Sequence, residues 1–122
     1  MKKVVLDTNF LIAKFQFKID ILNEIREILG NAEFVVMEQC YNELKKLSEK
    51  DIYAKMALGI AKGKDIKIIK GEKGNADNAI ISWAAKNNAY VATQDSELRK
   101  RLKKRNIPII LIRQRKKVVV SQ

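Results

Sequence analysis

An α/β domain on a mainly parallel sheet is predicted by three features. Short apolar runs alternate with segments of helical spacing, no repeat or linker interrupts their order, and 122 residues suffice for one core but not two. The expected organisation is a single domain over 1–122, ending in a basic segment at 113–122.

Lys3-Val4-Val5-Leu6 reads as a buried strand. After Asp7, Thr8 and Asn9 open a helix carrying Leu11, Ile12 and Phe15. Ile21, Leu22, Ile25, Ile28 and Leu29 form a helical stripe that starts at Asp20 and closes at Gly30-Asn31. Phe34 to Met37 is the second strand, and residues 38–47 return to helical spacing through Cys40, Leu44 and Leu47. A further helix starts at Asp51, with Ile52, Tyr53, Met56, Ala57 and Ile60 expected on its inner side and Gly63 after it.

Ile66 to Ile69 gives a third strand, and Lys70 to Gly74 is expected to be a mobile connection; it lacks the Gly-Lys-Ser/Thr ending of a phosphate loop. A helix over 75–87 carries Ala79, Ile80, Trp83 and Ala84, followed by a strand at 89–93 and a helix over 96–105. Ile107 to Ile112 is the last clear strand, with Pro108 near its start, where a missing donor is tolerated. Val118-Val119-Val120 either adds an edge strand or packs on a partner.

Composition narrows the chemistry. The chain has no histidine and one cysteine, Cys40, so Ser/His or Cys/His triads, thiolate clusters and intramolecular disulfides are excluded. Catalysis must rest on carboxylates, lysines, hydroxyls or a bound ion. No apolar run reaches bilayer length, and an acid at position 7 comes too early for a signal peptide, so a cytoplasmic protein with no membrane partner is expected. The net charge is +11, and between Glu97 and Lys117 ten basic residues face a single acid. Arg99, Lys100, Arg101, Lys103, Lys104, Arg113, Arg115, Lys116 and Lys117 are therefore candidate nucleic-acid contacts. A heat-adapted surface is the bland alternative, but there Glu would balance Lys.

In parallel α/β sheets, ligands bind beyond the carboxyl ends of the strands. Asp7 directly follows the first strand, Asp95 lies just past the fourth, and Asp77 sits in the first turn of the helix after the glycine-rich loop. Glu43, beside the core position Leu44, can point along the same rim. Four carboxylates gathered there would repel one another, and a hard divalent cation relieves that repulsion; oxygen-only ligation favours Mg²⁺ or Mn²⁺. Each acid also has a structural explanation. Asp7 and Asp95 are good helix N-caps, Asp77 suits a helix macrodipole, and Glu43 can pair with Lys46. Trp83, Tyr41, Tyr53, Phe17 and Cys40 are read first as packing, although the tyrosines and Phe17 are also able to stack on unpaired bases.

The chain resembles the PIN domain nucleases. The resemblance is carried in order by Val4-Val5-Leu6-Asp7-Thr8-Asn9, Glu43-Leu44, Ala76-Asp77-Asn78-Ala79-Ile80 and Val91-Ala92-Thr93-Gln94-Asp95. It implies a three-layer α/β/α sandwich and Mg²⁺- or Mn²⁺-dependent cleavage of RNA. It also implies that Asp7, Glu43, Asp77 and Asp95 form an acidic, metal-holding tetrad, with Thr93 and Asn9 supporting it. The stretch from Thr93 to Arg99 followed by Ile107-Pro108-Ile109-Ile110 looks like the branch linked to ribosomal RNA processing, with a ribosome-assembly partner. A VapC-type toxin, paired with an antitoxin, shares the tetrad, and the likeness extends to homodimers. A non-catalytic RNA-binding or assembly module is the remaining alternative. A haloacid-dehalogenase-type phosphotransferase would need an acid where Asn9 stands.

Overall fold

The computed structural model describes residues 1–121; Gln122, the last residue of the expected basic segment, lies outside the described residues. A six-stranded sheet is ordered β3-β2-β1-β4-β5-β6. Strands β1 (Lys2–Leu6), β2 (Ala32–Met37), β3 (Ile66–Ile69), β4 (Tyr90–Ala92) and β5 (Ile109–Arg113) run parallel. The valine run at 118–120 does add an edge strand, β6 (Lys117–Ser121), antiparallel to β5 with Ile112 opposite Val118.

Six helices connect the strands: α1 (Thr8–Phe17), α2 (Ile21–Leu29), α3 (Glu38–Leu47), α4 (Ile52–Ala61), α5 (Ala76–Asn87) and α6 (Ser96–Lys104). Right-handed crossovers put the helices preceding β3 on one face and α5 and α6 on the other. Accordingly α5 packs on β1, β2 and β4, and α6 on β5. The expected three-layer sandwich is thus the observed one.

Local chemistry explains the boundaries. Asp7, Asp20, Asp51, Asn75 and Asp95 each cap a helix by accepting from its first backbone N–H groups. The central strands are apolar on both faces because helices cover both: Val4, Val5, Leu6, Val35, Val36, Val91 and Ala92 are fully buried. Chain order runs outward from β1 to β3, then crosses back so that β4 lies on the other side of β1. This reversal opens a crevice beyond the carboxyl ends of β1 and β4.

Helix α4 departs from expectation. Its buried residues are Ala54, Ala57, Leu58 and Ala61, whereas Ile52 (63% exposed), Tyr53 and Met56 face outward. Helix α4 packs against α1 and α3, and small side chains let the axes approach closely. The bulkiest stripe was therefore not the inner one. The Lys70–Gly74 connection is also held rather than free: Gln39 Nε2 donates to the Glu72 and Gly74 carbonyls, and Lys86 pairs with Glu72.

These positions separate experimentally. Leu44→Ala, at a fully buried site on α3, should cost about 2–5 kcal/mol. Ile52→Ala, on the exposed side of α4, should stay within about 0.5 kcal/mol of the parent. Urea denaturation measures both, and equal losses would contradict the assignment of faces.

Candidate active site

Asp7 takes its place from two elements at once. It ends β1, where its N–H donates to the Ala92 carbonyl of β4, and it caps α1. Its side chain is 6% exposed. Oδ1 accepts from Thr8 N–H at 2.8 Å, and the Cys40 thiol points at the same oxygen from 3.8 Å. Oδ2 accepts from Thr93 Oγ1 at 2.7 Å and from Asn9 Nδ2 at 3.1 Å.

Thr93 and Asn9 tie this carboxylate to the β4–α6 connection. The fully buried Thr93 hydroxyl accepts from Asp95 N–H at 3.1 Å while donating to Asp7. Asn9 Oδ1 accepts from Gln94 N–H at 2.9 Å. Gln94 in turn acts like an added strand residue: its amide accepts from Ile112 N–H at 2.7 Å and donates to Ile112 O at 3.2 Å. The segment bearing Asp95 is thereby fixed against both β1 and β5. Asp95 Oδ1 caps α6 through Glu97 and Leu98 N–H. Both N-cap explanations offered for Asp7 and Asp95 thus hold, and neither removes the acid from the rim.

Asp77 lies in the first turn of α5, after the Asn75 cap. The neighbouring Asn78 Oδ1 accepts from Arg101 at 2.7 Å, which brings a guanidinium from α6 to the same edge. Glu43 is exposed on α3, one turn beyond Cys40, and makes none of the ion pairs found among the described residues, so pairing with Lys46 is not observed. Asp7, Glu43, Asp77 and Asp95 all line one cleft of about 280 Å³, together with Thr8, Asn9, Ile12 and Ala76.

The electrostatics reflect the crowding. Burial pushes the Asp7 carboxyl above its usual value; hydrogen bonds from Thr93 and Thr8 oppose this, and the Asp77 and Glu43 charges reinforce it. Asp77 is also raised, by desolvation and then by Asp95, with Arg101 pulling it down and Glu43 pushing it up. Burial and the Asp7 charge push the Cys40 thiol up to about 12, which keeps it protonated as a donor.

A divalent cation fits this donor set. Every acid brings oxygen, Asp7 and Asp77 are each raised partly by the charges of neighbouring acids, and Thr8 Oγ1, in the cleft wall, is buried without a partner. The four line a shared cleft but are not drawn in to a ligand cage: no three Asp, Glu, Cys or His side chains among the described residues are gathered for an ion as they stand.

The expected basic contacts divide. Arg101 reaches the acid rim. Arg113 to Lys117 form the β5–β6 turn at the same end of the sheet, with Arg115 stacked 5.7 Å from the Phe17 ring, which occupies that aromatic. Lys103 and Lys104 end α6, which runs back toward the amino ends of the strands, so they lie away from the acids. The expected burial of Cys40 is observed, but sequence reasoning missed the contact of its thiol with Asp7, the Gln94 clamp and the Thr8 hydroxyl. Only the shared helix face of Cys40 and Glu43, three residues apart, signalled any of them.

A family model described as a PIN-like domain matches residues 4–115. The chain is 38% identical to Ribonuclease VapC4 of Methanocaldococcus jannaschii, covering 95% of this chain and 94% of that protein. It is 28% identical to Ribonuclease VapC9 of Archaeoglobus fulgidus, covering 96% and 87%. Its structure is similar to that of the PIN domain endonuclease Utp24, with a TM-score of 0.86 and 28% identity over 98% of this chain and 90% of that one.

The raised Asp7 gives a signed pH dependence. A carboxyl raised above its ordinary 3.8 contributes stability that is complete below its unfolded value and is lost as pH rises through its folded value. In EDTA, the melting temperature of Asp7→Asn should therefore gain on the parent over the range in which pH rises above about 4. A gap that is flat or shrinks over that range would contradict the burial argument.

Proposed function

Because the chain belongs to the PIN-like domain family, we propose that it is a divalent-metal-dependent endoribonuclease whose acidic site is Asp7, Glu43, Asp77 and Asp95. The observation that carries the proposal is the convergence of these four acids, from four separate segments, on one cleft at the sheet's switch point. Mg²⁺ or Mn²⁺ is the proposed ion, since the donors are all oxygen. Such an ion supplies Lewis acidity and an ionised water for in-line attack on a phosphodiester.

The chain's own residues do the positioning. Thr93, Thr8 and Asn9 hold the Asp7 carboxylate in one orientation, so it needs no reorganisation when an ion binds. Thr93 and the α6 cap hold Asp95. Arg101 neutralises charge at the rim and is placed to meet a phosphate, and Arg99, Lys100, Arg113, Arg115, Lys116 and Lys117 would grip the RNA backbone by salt-sensitive contacts.

The 38% identity to Ribonuclease VapC4 over nearly the whole chain favours a toxin-type role, with an antitoxin as partner. The stretch from Thr93 to Arg99 followed by Ile107-Pro108-Ile109-Ile110 supports ribosomal RNA processing as the second reading, and the likeness to the PIN domain endonuclease Utp24 fits cleavage within a chain. A homodimer and a cytoplasmic location belong to the same proposal. No helix among the described residues is long and apolar enough to cross a membrane.

Purified protein incubated with structured RNA should cut it in Mn²⁺, leaving 5′-phosphate and 3′-hydroxyl ends, and should fall to background in EDTA or as Asp7→Asn or Asp77→Asn. Equal cleavage in all conditions would reject the metal site, and cyclic phosphate ends would reject attack by water. Thr93→Val should weaken Mn²⁺ binding by about tenfold or more, with Thr93→Ser close to the parent. Titration calorimetry reads that difference, and equal affinities would remove Thr93 from the site's support.

A further inference from the structure

At the amino ends of the strands, opposite the acids, the sheet opens into a groove of about 310 Å³ lined by Lys2, Lys3, Asn87, Asn88, Tyr90 and Pro108. Pro108 also lines an adjoining cavity of about 520 Å³, where Lys103 and Asn106 stand. No acid is among the described lining residues of either hollow. We propose that these hollows form a second RNA-binding surface, which takes backbone phosphates of the substrate remote from the bond that is cut.

Three observations carry this. First, the donor set is made of lysine ammonium groups and the amides of Asn88 and Asn106, the groups that contact phosphate oxygens without reading sequence; the Asn87 amide is already given to the Trp83 carbonyl. Second, none of Lys2, Lys3, Lys103 or Lys104 takes part in the ion pairs found among the described residues, so their charge is available to a polyanion. Third, α6 links this surface to the catalytic rim. Its nine residues span about 13 Å, starting beside Asp95. Its outer face presents Lys100, Arg101, Lys103 and Lys104, all exposed, while Leu98 and Leu102 face the core. A strand of RNA lying on this helix meets the cleft at one end and the groove at the other.

Helix electrostatics account for part of the pattern, since cations in the last turn of α6 complement its negative pole. Lys3 is also engaged within the fold, near Asn87 Oδ1 at 3.5 Å and over the Trp83 ring. Asn87 donates to the Trp83 carbonyl at 2.9 Å and Asn88 is the left-handed C-cap of α5, so these two also serve the fold; none of these effects explains Lys2. An acidic protein surface would also suit a basic groove; the continuity through α6 with an RNA-cutting cleft selects RNA. The inference rests on the proposed ribonuclease activity, and its test separates the two.

The experiment compares the parent with Lys2→Glu/Lys103→Glu and with the milder Lys2→Gln/Lys103→Gln, each verified by melting temperature. Binding of a long structured RNA and of a short oligonucleotide is measured in EDTA across a salt series, and cleavage of the short oligonucleotide is measured in Mn²⁺. The charge-reversal pair should weaken long-RNA binding by about tenfold or more at moderate salt, and flatten its salt slope by about one to two contacts. The Gln pair should lose less, and cleavage of the short oligonucleotide should keep the parent rate in both. Unchanged long-RNA affinity, or the same loss on the short oligonucleotide, would overturn the proposal, as would a parent that binds long and short RNA equally. A parent that binds long RNA through these lysines but cuts nothing in Mn²⁺ would instead sink the nuclease reading and leave the groove standing.

Discussion

The Asp7 carboxylate organises the structure. It is a charge buried at the seam between β1, β4 and α1, and burial of a charge is tolerated only where hydrogen bonds replace water. Here each oxygen is served: one by Thr8 N–H with the Cys40 thiol nearby, the other by Thr93 and Asn9. Those donors come from α1, α3 and the end of β4, so satisfying one carboxylate draws three segments together. The bond from Thr93 spans 86 residues of sequence, and it makes the carboxyl end of β4 part of the same unit as the carboxyl end of β1.

The rest of the site follows from that seam. With Thr93 fixed, Asp95 caps α6 at the rim, and α6 then carries Arg101 across to Asn78 beside Asp77. Hydrogen bonds lower the cost of the buried charge without removing it, because Asp7 stays raised and the Asp77 and Glu43 charges add to the strain. On the proposed reading, a cation in the cleft supplies the counter-charge for this arrangement. The same carboxylates that make the metal-free protein less stable as pH rises are the ones that would make it bind the ion. Stability and function pull in opposite directions at this rim, as they do at many catalytic sites.

Much of this was legible in the sequence because the relevant signals are local. Apolar runs marked β1 to β5, and acids at strand ends and in first helical turns marked Asp7, Asp77 and Asp95. Glu43 was harder: it sits mid-helix and exposed, its place beside Leu44 was a weak cue, and it rested most on the resemblance. The inner face of α4 was misread because alanine carries a weak hydrophobic signal, while tight helix packing selects small residues over bulky ones. The basic run from Arg99 to Lys117 reads as one feature in the linear chain. Folding splits it, because a helix running from one end of the sheet to the other carries its first cations to the cleft and its last ones to the opposite end. The helical stripe turns Cys40 inward, but the contact of its thiol with Asp7, 33 residues away, is one that no local pattern encodes.

On the proposed reading, the buried Asp7 unit and its three acidic neighbours hold a divalent ion. Crystals soaked in Mn²⁺ and measured at the manganese absorption edge test it most directly. An anomalous peak is expected in the cleft, contacted by Asp7 in its present orientation and by at least one of Asp77, Asp95 and Glu43 drawn inward. An empty cleft in crystals that bind manganese elsewhere, or a peak in the cleft that Asp7 does not touch, would contradict it.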